Sequence, residues 1–261
     1  MMADAAWAHA AVAGLAAGVL VAVAVWAVSV PARDVSIVDS VWGFLVLVPA
    51  LVAAAALPHT GPRTLVVLGF AAAWALRLSA YILRRHRGQP EDRRYQAIRR
   101  RNEPFFEWKS LYLVFGLQAL LGWLVAAPLM AAAASPAPWN VLDALGLALA
   151  ACGLVYEAVA DAQMARFRAD VRNRGQVMDR GLWRFSRHPN YFGECCVWWG
   201  LWLVAAAAGA WWTVLSPLLM TVLLLKVSGV PLLEQDLGHR RAGYAAYVRS
   251  TPAFVPGRRR G

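Results

Sequence analysis

Asn190 and Glu194 stand four residues apart in GLWRFSRHPNYFGECCVWWG (181–200), where a dense polar run passes directly into an apolar segment. On a helix that spacing puts both side chains on one face. A carboxamide gives and accepts hydrogen bonds and a carboxylate accepts them, so the pair suits a carboxamide-bearing cofactor ring or a ribose hydroxyl. Arg187, His188 and Tyr191 flank the pair. His188 has the unperturbed pKa of a physiological base, yet beside Arg187 it reads as a positioning donor. Pro189 fits the first turn of a helix, where a missing N–H costs little, with Ser186 or His188 ahead of it as the cap.

Other polar side chains interrupt apolar stretches, where burial is costly and usually compensated. Glu157 and Asp161 are four apart and Arg168 is seven beyond Asp161, so the three share a helix face. Trp74, Arg77 and Tyr81 share another. Arg77 can neutralise Asp161 or Glu194 across a bundle, either as a structural ion pair or as the lining of a polar cavity. Asp39 is either a helix N-cap or a group aimed at a substrate oxygen. Gln118 can bridge helices. Arg168, Arg172 and Arg174, with the arginines of 84–101, are more positive charge than orientation needs, and guanidinium groups suit bidentate phosphate contacts. Part of that charge also suits anionic lipid headgroups. No GxGxxG, GxxxxGK[ST] or HExxH run is present, and no metal is expected. Cys152, Cys195 and Cys196 have neither zinc nor disulfide spacing and read as small buried hydrophobes.

These residues sit in a chain of 261 residues that is 60% hydrophobic and 16% charged. A soluble domain carries about 25% charge. Apolar blocks cover about 5–30, 38–57, 65–83, 111–134, 141–166, 191–208 and 211–229. Each is of the length that crosses a bilayer, and backbone groups in lipid must be paired internally, so helices are required. The reading is an all-α polytopic protein, one integral membrane domain over 1–261 with seven transmembrane helices. Basic loops at 84–110 and 166–191, Arg33 and the tail 230–261 hold 23 of the 26 Lys and Arg residues and fall on one side; the other side receives only Arg63. The basic side is expected to be cytoplasmic, with the N-terminus outside and the C-terminus in the cytoplasm. The net charge of +11 is explained by these loops, and nucleic acid is not an expected partner.

SRHPNYFGE at 186–194, Glu91, Asp92, Arg94 and Tyr95, and the ending PLLE…YAAYVRSTPAFVP together resemble the steroid 5-alpha-reductase superfamily, most closely its bacterial branch. The resemblance runs from Asp39 to Pro256. Isoprenylcysteine carboxyl methyltransferases and sterol-ring reductases have similar stretches before a late transmembrane helix. The resemblance implies a seven-helix bundle holding NADPH on its cytoplasmic side and passing hydride to the beta carbon of a conjugated enone. Asn190 and Glu194 match positions near the cofactor, Asp161 and Arg168 match a carboxylate and arginine that help hold the nucleotide, and Arg77 and Tyr81 match polar positions on the third helix. Trp74 stands where the steroid enzymes have a substrate-touching tyrosine, Asp39 lies close to an expected glutamate, and Glu234 replaces a tyrosine.

The expectation is therefore an NADPH-dependent membrane reductase. Asp39, Trp74 and Tyr81 form its catalytic side. Arg77, Asp161, Arg168, Arg172, Arg187, His188, Asn190, Tyr191, Glu194 and Glu234 form its cofactor side. The substrate is a lipophilic enone entering from the bilayer, such as a 3-oxo-Δ4 steroid or a similar lipid; anionic lipids are further partners, and the bacterial inner membrane is the expected location. The alternatives are an S-adenosylmethionine-dependent membrane methyltransferase and a non-catalytic sterol or lipid binder.

Overall fold

The computed structural model describes residues 2–227, 229–230, 234 and 243–259, and all regular structure among them is helical. Ten helices are used below: α1 (Met2–Ala32), α2 (Ile37–Ala56), α3 (Thr64–His86), α4 (Arg93–Asn102), α5 (Phe106–Val125), α6 (Ala127–Ala134), α7 (Val141–Ala169), α8 (Pro189–Ala207), α9 (Trp211–Val227) and α10 (Tyr244–Ser250). Among the described residues α1, α2, α3, α5 and α7 are long and apolar enough to cross a bilayer. At 1.5 Å per residue, the 20 residues of α2 reach about 30 Å, the thickness of the hydrocarbon core. The chain is thus an all-α polytopic membrane protein. The sixth and seventh apolar blocks become α8, whose 19 residues begin with polar groups, and the shorter α9.

Two boundaries differ from the sequence pattern. The block 111–134 is two helices, α5 and α6, with a break at Ala126. Pro128 lies in the first turn of α6 and has no N–H to continue the ladder of α5. The polar loop 84–110 contains α4, whose N-cap Asp92 accepts a hydrogen bond from Arg94 N at 2.9 Å.

The chain forms two compact units, Met1–Val141 with Val204–Ser216, and Leu142–Leu203 with Pro217–Gly261. In the first, α2 packs on α1, α3, α5 and α6. Gly43 lets α2 approach α3 closely; a Cβ there would lie 2.8 Å from Ala75 Cα. The core beside this contact includes Val38, Leu45, Phe106 and Phe115. Arg63 is fully buried in the same unit and donates to the carbonyls of Ala137 and Pro138, with its guanidinium 5.2 Å from the Trp139 ring.

In the second unit α7 and α8 meet along small residues. A Cβ on Gly193 would lie 2.7 Å from Glu157 N, and one on Gly200 would lie 2.5 Å from Gly146 O. The two helices run antiparallel, and the close approach fixes which turns of each face the other.

Candidate functional site

Three buried carboxylates lie on α7 and α8 beside the seam. Glu157 and Asp161 lie one turn apart on α7, and Gly193 of α8 touches the backbone of Glu157, so Glu194 follows immediately along the same stretch. Glu157, Asp161 and Glu194 are all buried. Asn190 is one turn before Glu194 in the first turn of α8, with Pro189 as the leading residue. Asn190 is half-buried, and its Oδ1, shut off from solvent, finds no hydrogen-bond donor among the described residues. A buried amide oxygen with no donor among the described residues calls for a partner. The segment leading into α8 is fixed to α7 as well: Trp183 Nε1 donates to Ala160 O at 3.0 Å and Leu182 N to Gln163 Oε1 at 2.9 Å.

Arg187 and His188 bind the C-terminal segment. Arg187 donates through Nε to Glu234 Oε1 at 2.7 Å and through Nη2 to Oε2 at 3.1 Å. Its Nη1 donates to the carbonyls of Val248 and Thr251 at 3.0 and 2.8 Å. His188 Nε2 lies 2.9 Å from Glu234 Oε1, and its ring stacks on Tyr191 at 5.4 Å. Burial pushes the Glu234 carboxyl upward, but the hydrogen bonds from His188 and Arg187 outweigh it and hold the group below the usual carboxylate range. Ser186 Oγ donates to Phe254 O at 2.7 Å and Tyr247 Oη to Trp183 O. Burial and the Glu234 charge push the Tyr244 phenol up to about 12. Together these bonds dock α10 and the segment after it against the loop before α8.

In the first unit, the acid, arginine and tyrosine of 91–95 build a second polar cluster. Asp39 lies in the first turn of α2, past the N-cap position, which Ser36 takes. Its two oxygens accept from Arg94 Nη2 at 2.7 Å and Tyr95 Oη at 2.6 Å. Gln118 Nε2 donates to Tyr95 Oη at 3.0 Å, so the phenol oxygen both gives and accepts. Burial, then the Asp39 charge, push the Tyr95 phenol well up. Glu91 accepts from Val35 N and pairs with Arg99 through two nitrogens. Asp34 meets His86 Nε2 at 2.7 Å. The cluster ties α4 to the α1–α2 link and to α5.

Of the expected catalytic residues, Trp74 is buried on α3, while Tyr81 is half-buried with the Arg85 guanidinium 5.9 Å above its ring. Arg77 is half-buried on α3. Arg168 is exposed at the end of α7, and Arg172 is exposed and paired with Asp170 at 2.8 Å. The sequence reading did not single out Tyr95 and Arg94 as partners of Asp39. The signal available was the tight run Glu91, Asp92, Arg94, Tyr95 ahead of a basic helix.

A family model described as "Protein of unknown function (DUF1295)" matches residues 25–251. Comparison with curated proteins and with solved structures gives no match. The family match takes in both polar clusters and every long apolar helix, in whole or in part, so the chain belongs to the DUF1295 family of polytopic membrane proteins.

Proposed function

We propose that the protein is a membrane reductase that takes reducing equivalents from NADPH and saturates the conjugated C=C of a lipophilic enone. The observation that carries this reading is the buried Oδ1 of Asn190 at the head of α8, which has no donor among the described residues. It fits the amide N–H of a nicotinamide carboxamide. Glu194 and Asp161, both buried and within a turn or so of that oxygen along the α7–α8 seam, are acceptors suited to ribose hydroxyls. Arg168 and Arg172 are exposed where α7 ends and offer guanidinium groups to the phosphates. When bound, the reduced nicotinamide supplies a hydride, the two-electron equivalent that an enone beta carbon accepts while its alpha carbon takes a proton. The chain's part is to fix that ring and to keep the site dry: Pro189, Gly193 and the seam close it from water along α7 and α8.

Arg187, His188 and Glu234 act in this reading as the clamp that holds α10 against the loop, and so position Asn190 indirectly. The topology that accompanies it has seven spanning helices, with α8 and α9 as the last two. The N-terminus lies outside, the arginine-rich segments and C-terminus lie in the cytoplasm, and a bacterial inner membrane surrounds the chain.

The test is binding by the purified full chain in detergent. Reduced nicotinamide should accept excitation energy from the chain's 13 tryptophans, and Asn190→Ala should weaken NADPH binding about tenfold, the loss of one well-made hydrogen bond in a buried site. No energy transfer, or thermal protection by S-adenosylmethionine and none by NADPH, would overturn the proposal.

A further inference from the structure

A shallow groove of about 380 Å³ opens where the end of α1 meets the start of α5, lined by Trp26, Ala27, Val30, Phe105, Glu107 and Trp108. The two indoles that form its walls are fixed. Trp26 Nε1 donates to Glu107 O at 2.8 Å, and the Trp26 and Trp108 rings lie 5.4 Å apart at 48°. Phe105 and Trp108 are largely exposed, so the groove presents aromatic surface outward at one end of two apolar helices. Indole rings at such a boundary sit at headgroup depth.

Charge surrounds the same end. Arg33 follows one turn beyond Val30 and is exposed, as are Arg100 and Arg101 on α4. Lys109 Nζ donates to Asn102 O at 2.9 Å, which holds its ammonium beside the end of α4. Arg99 sits 4.7 Å from the Phe106 ring, paired with Glu91 and within the field of Glu103 and Glu107. Against the four acids Asp34, Glu91, Glu103 and Glu107 stand five cations, Arg33, Arg99, Arg100, Arg101 and Lys109, a surplus of one. The end of α3 adds the exposed Arg84, Arg85 and Arg87 to that side of the unit.

We infer that this groove is a specific site for one anionic phospholipid, its acyl chain between Trp26 and Trp108 and its phosphate toward Arg33, Arg100 and Arg101. The volume is on the order of a dozen water volumes, room for a stretch of one chain. An annular lipid would meet a smooth apolar wall; here it meets a slot with Glu107 in its lining and the exposed Arg33 one turn beyond Val30, and anionic headgroups gain from each nearby guanidinium. The site is separate from the α7–α8 cluster and does not depend on the proposed reaction.

The full chain, purified in detergent and mixed with equal amounts of phosphatidylglycerol and phosphatidylcholine, should retain phosphatidylglycerol in native mass spectrometry. Trp108→Ala should lower retention about tenfold, as expected for loss of one aromatic wall. Trp108 is mostly exposed, so its removal should leave the thermal midpoint in place. Ala27→Trp, which fills the slot from an exposed position, should block retention by a route that removes no contact. Arg100→Gln with Arg101→Gln should abolish the preference for phosphatidylglycerol while some lipid is still held. Equal retention of both lipids, no retention of either, or retention unchanged in both groove variants would overturn the assignment.

Discussion

Replacing Arg187 with alanine separates a clamp from a phosphate ligand. The guanidinium makes two bonds to Glu234 and two to the carbonyls of Val248 and Thr251, and the paired side chains are only 11% and 20% exposed. Removing one partner of a largely buried ion pair costs about 3–5 kcal/mol, because the remaining charge stays behind uncompensated. At about 1.4 kcal/mol per factor of ten, the opening equilibrium of the docked segment should rise by about a hundredfold to several thousandfold. Hydrogen exchange reads this directly at Tyr247 N and Thr251 N, whose acceptors are Gly243 O and Tyr247 O. Both amides should lose protection in Arg187→Ala, and Arg187→Lys should recover only part of it, since an ammonium cannot reproduce the two-nitrogen contact with Glu234. Protection unchanged within about threefold would refute the clamp, because a shift that small is under 1 kcal/mol. If NADPH affinity fell while exchange stayed the same, Arg187 would be a direct ligand instead.

Two further outcomes follow from the polar clusters. Tyr95→Phe removes the hydroxyl that donates to Asp39 and accepts from Gln118, leaving two half-buried groups short of a partner; thermal unfolding in detergent should show a loss of about 1 kcal/mol, and an unchanged midpoint would count against the cluster as a tie between α4, α2 and α5. The acid limb of stability should trace Asp34, Asp92 and Glu234, where burial raises each carboxyl but hydrogen bonds from His86 and Ser36, from Arg94, and from His188 and Arg187 outweigh it. A carboxyl held low in the folded state stabilises it above the ordinary value near pH 4 and loses that contribution as pH falls through the folded value; the midpoint should therefore be flat through neutral pH and drop below about pH 5, less steeply in Asp92→Asn and Glu234→Gln than in the parent.

The apolar helices were legible because lipid demands long uninterrupted runs, and α2 and α3 begin and end within a few residues of the pattern. The fourth block was not, since Pro128 breaks the ladder inside a stretch whose composition stays apolar throughout. Helix α4 was hidden for the opposite reason. Only Tyr95 and Ile98 of its ten residues pack on the core, too few to write a 3.6-residue apolar period among five charged neighbours, two polar ones and an alanine. For the site, spacing was enough to place Asn190 with Glu194 and Glu157 with Asp161 on common faces, because those relations are local to one helix. Arg187 and His188 meet Glu234 across 47 and 46 positions. No periodicity encodes such a pairing, so the contacts that tie these two residues to the chain's own tail could not be read from their types or spacing.

Arg63 sharpens the charge argument in the proposed seven-span topology. It is the one basic residue of the side opposite the arginine-rich loops, against 23 on the other. Its guanidinium is fully buried and donates to the carbonyls of Ala137 and Pro138 ahead of α7, over the Trp139 ring. A buried, hydrogen-bonded cation of that kind fills a structural need: carbonyls in a link between apolar helices require donors that lipid cannot give. An exposed loop arginine presents its charge to the aqueous phase; Arg63 presents it to the chain's own backbone. The opposite side therefore offers solvent no positive group from that position, and the asymmetry behind the proposed orientation is steeper than the bare count of residues conveys.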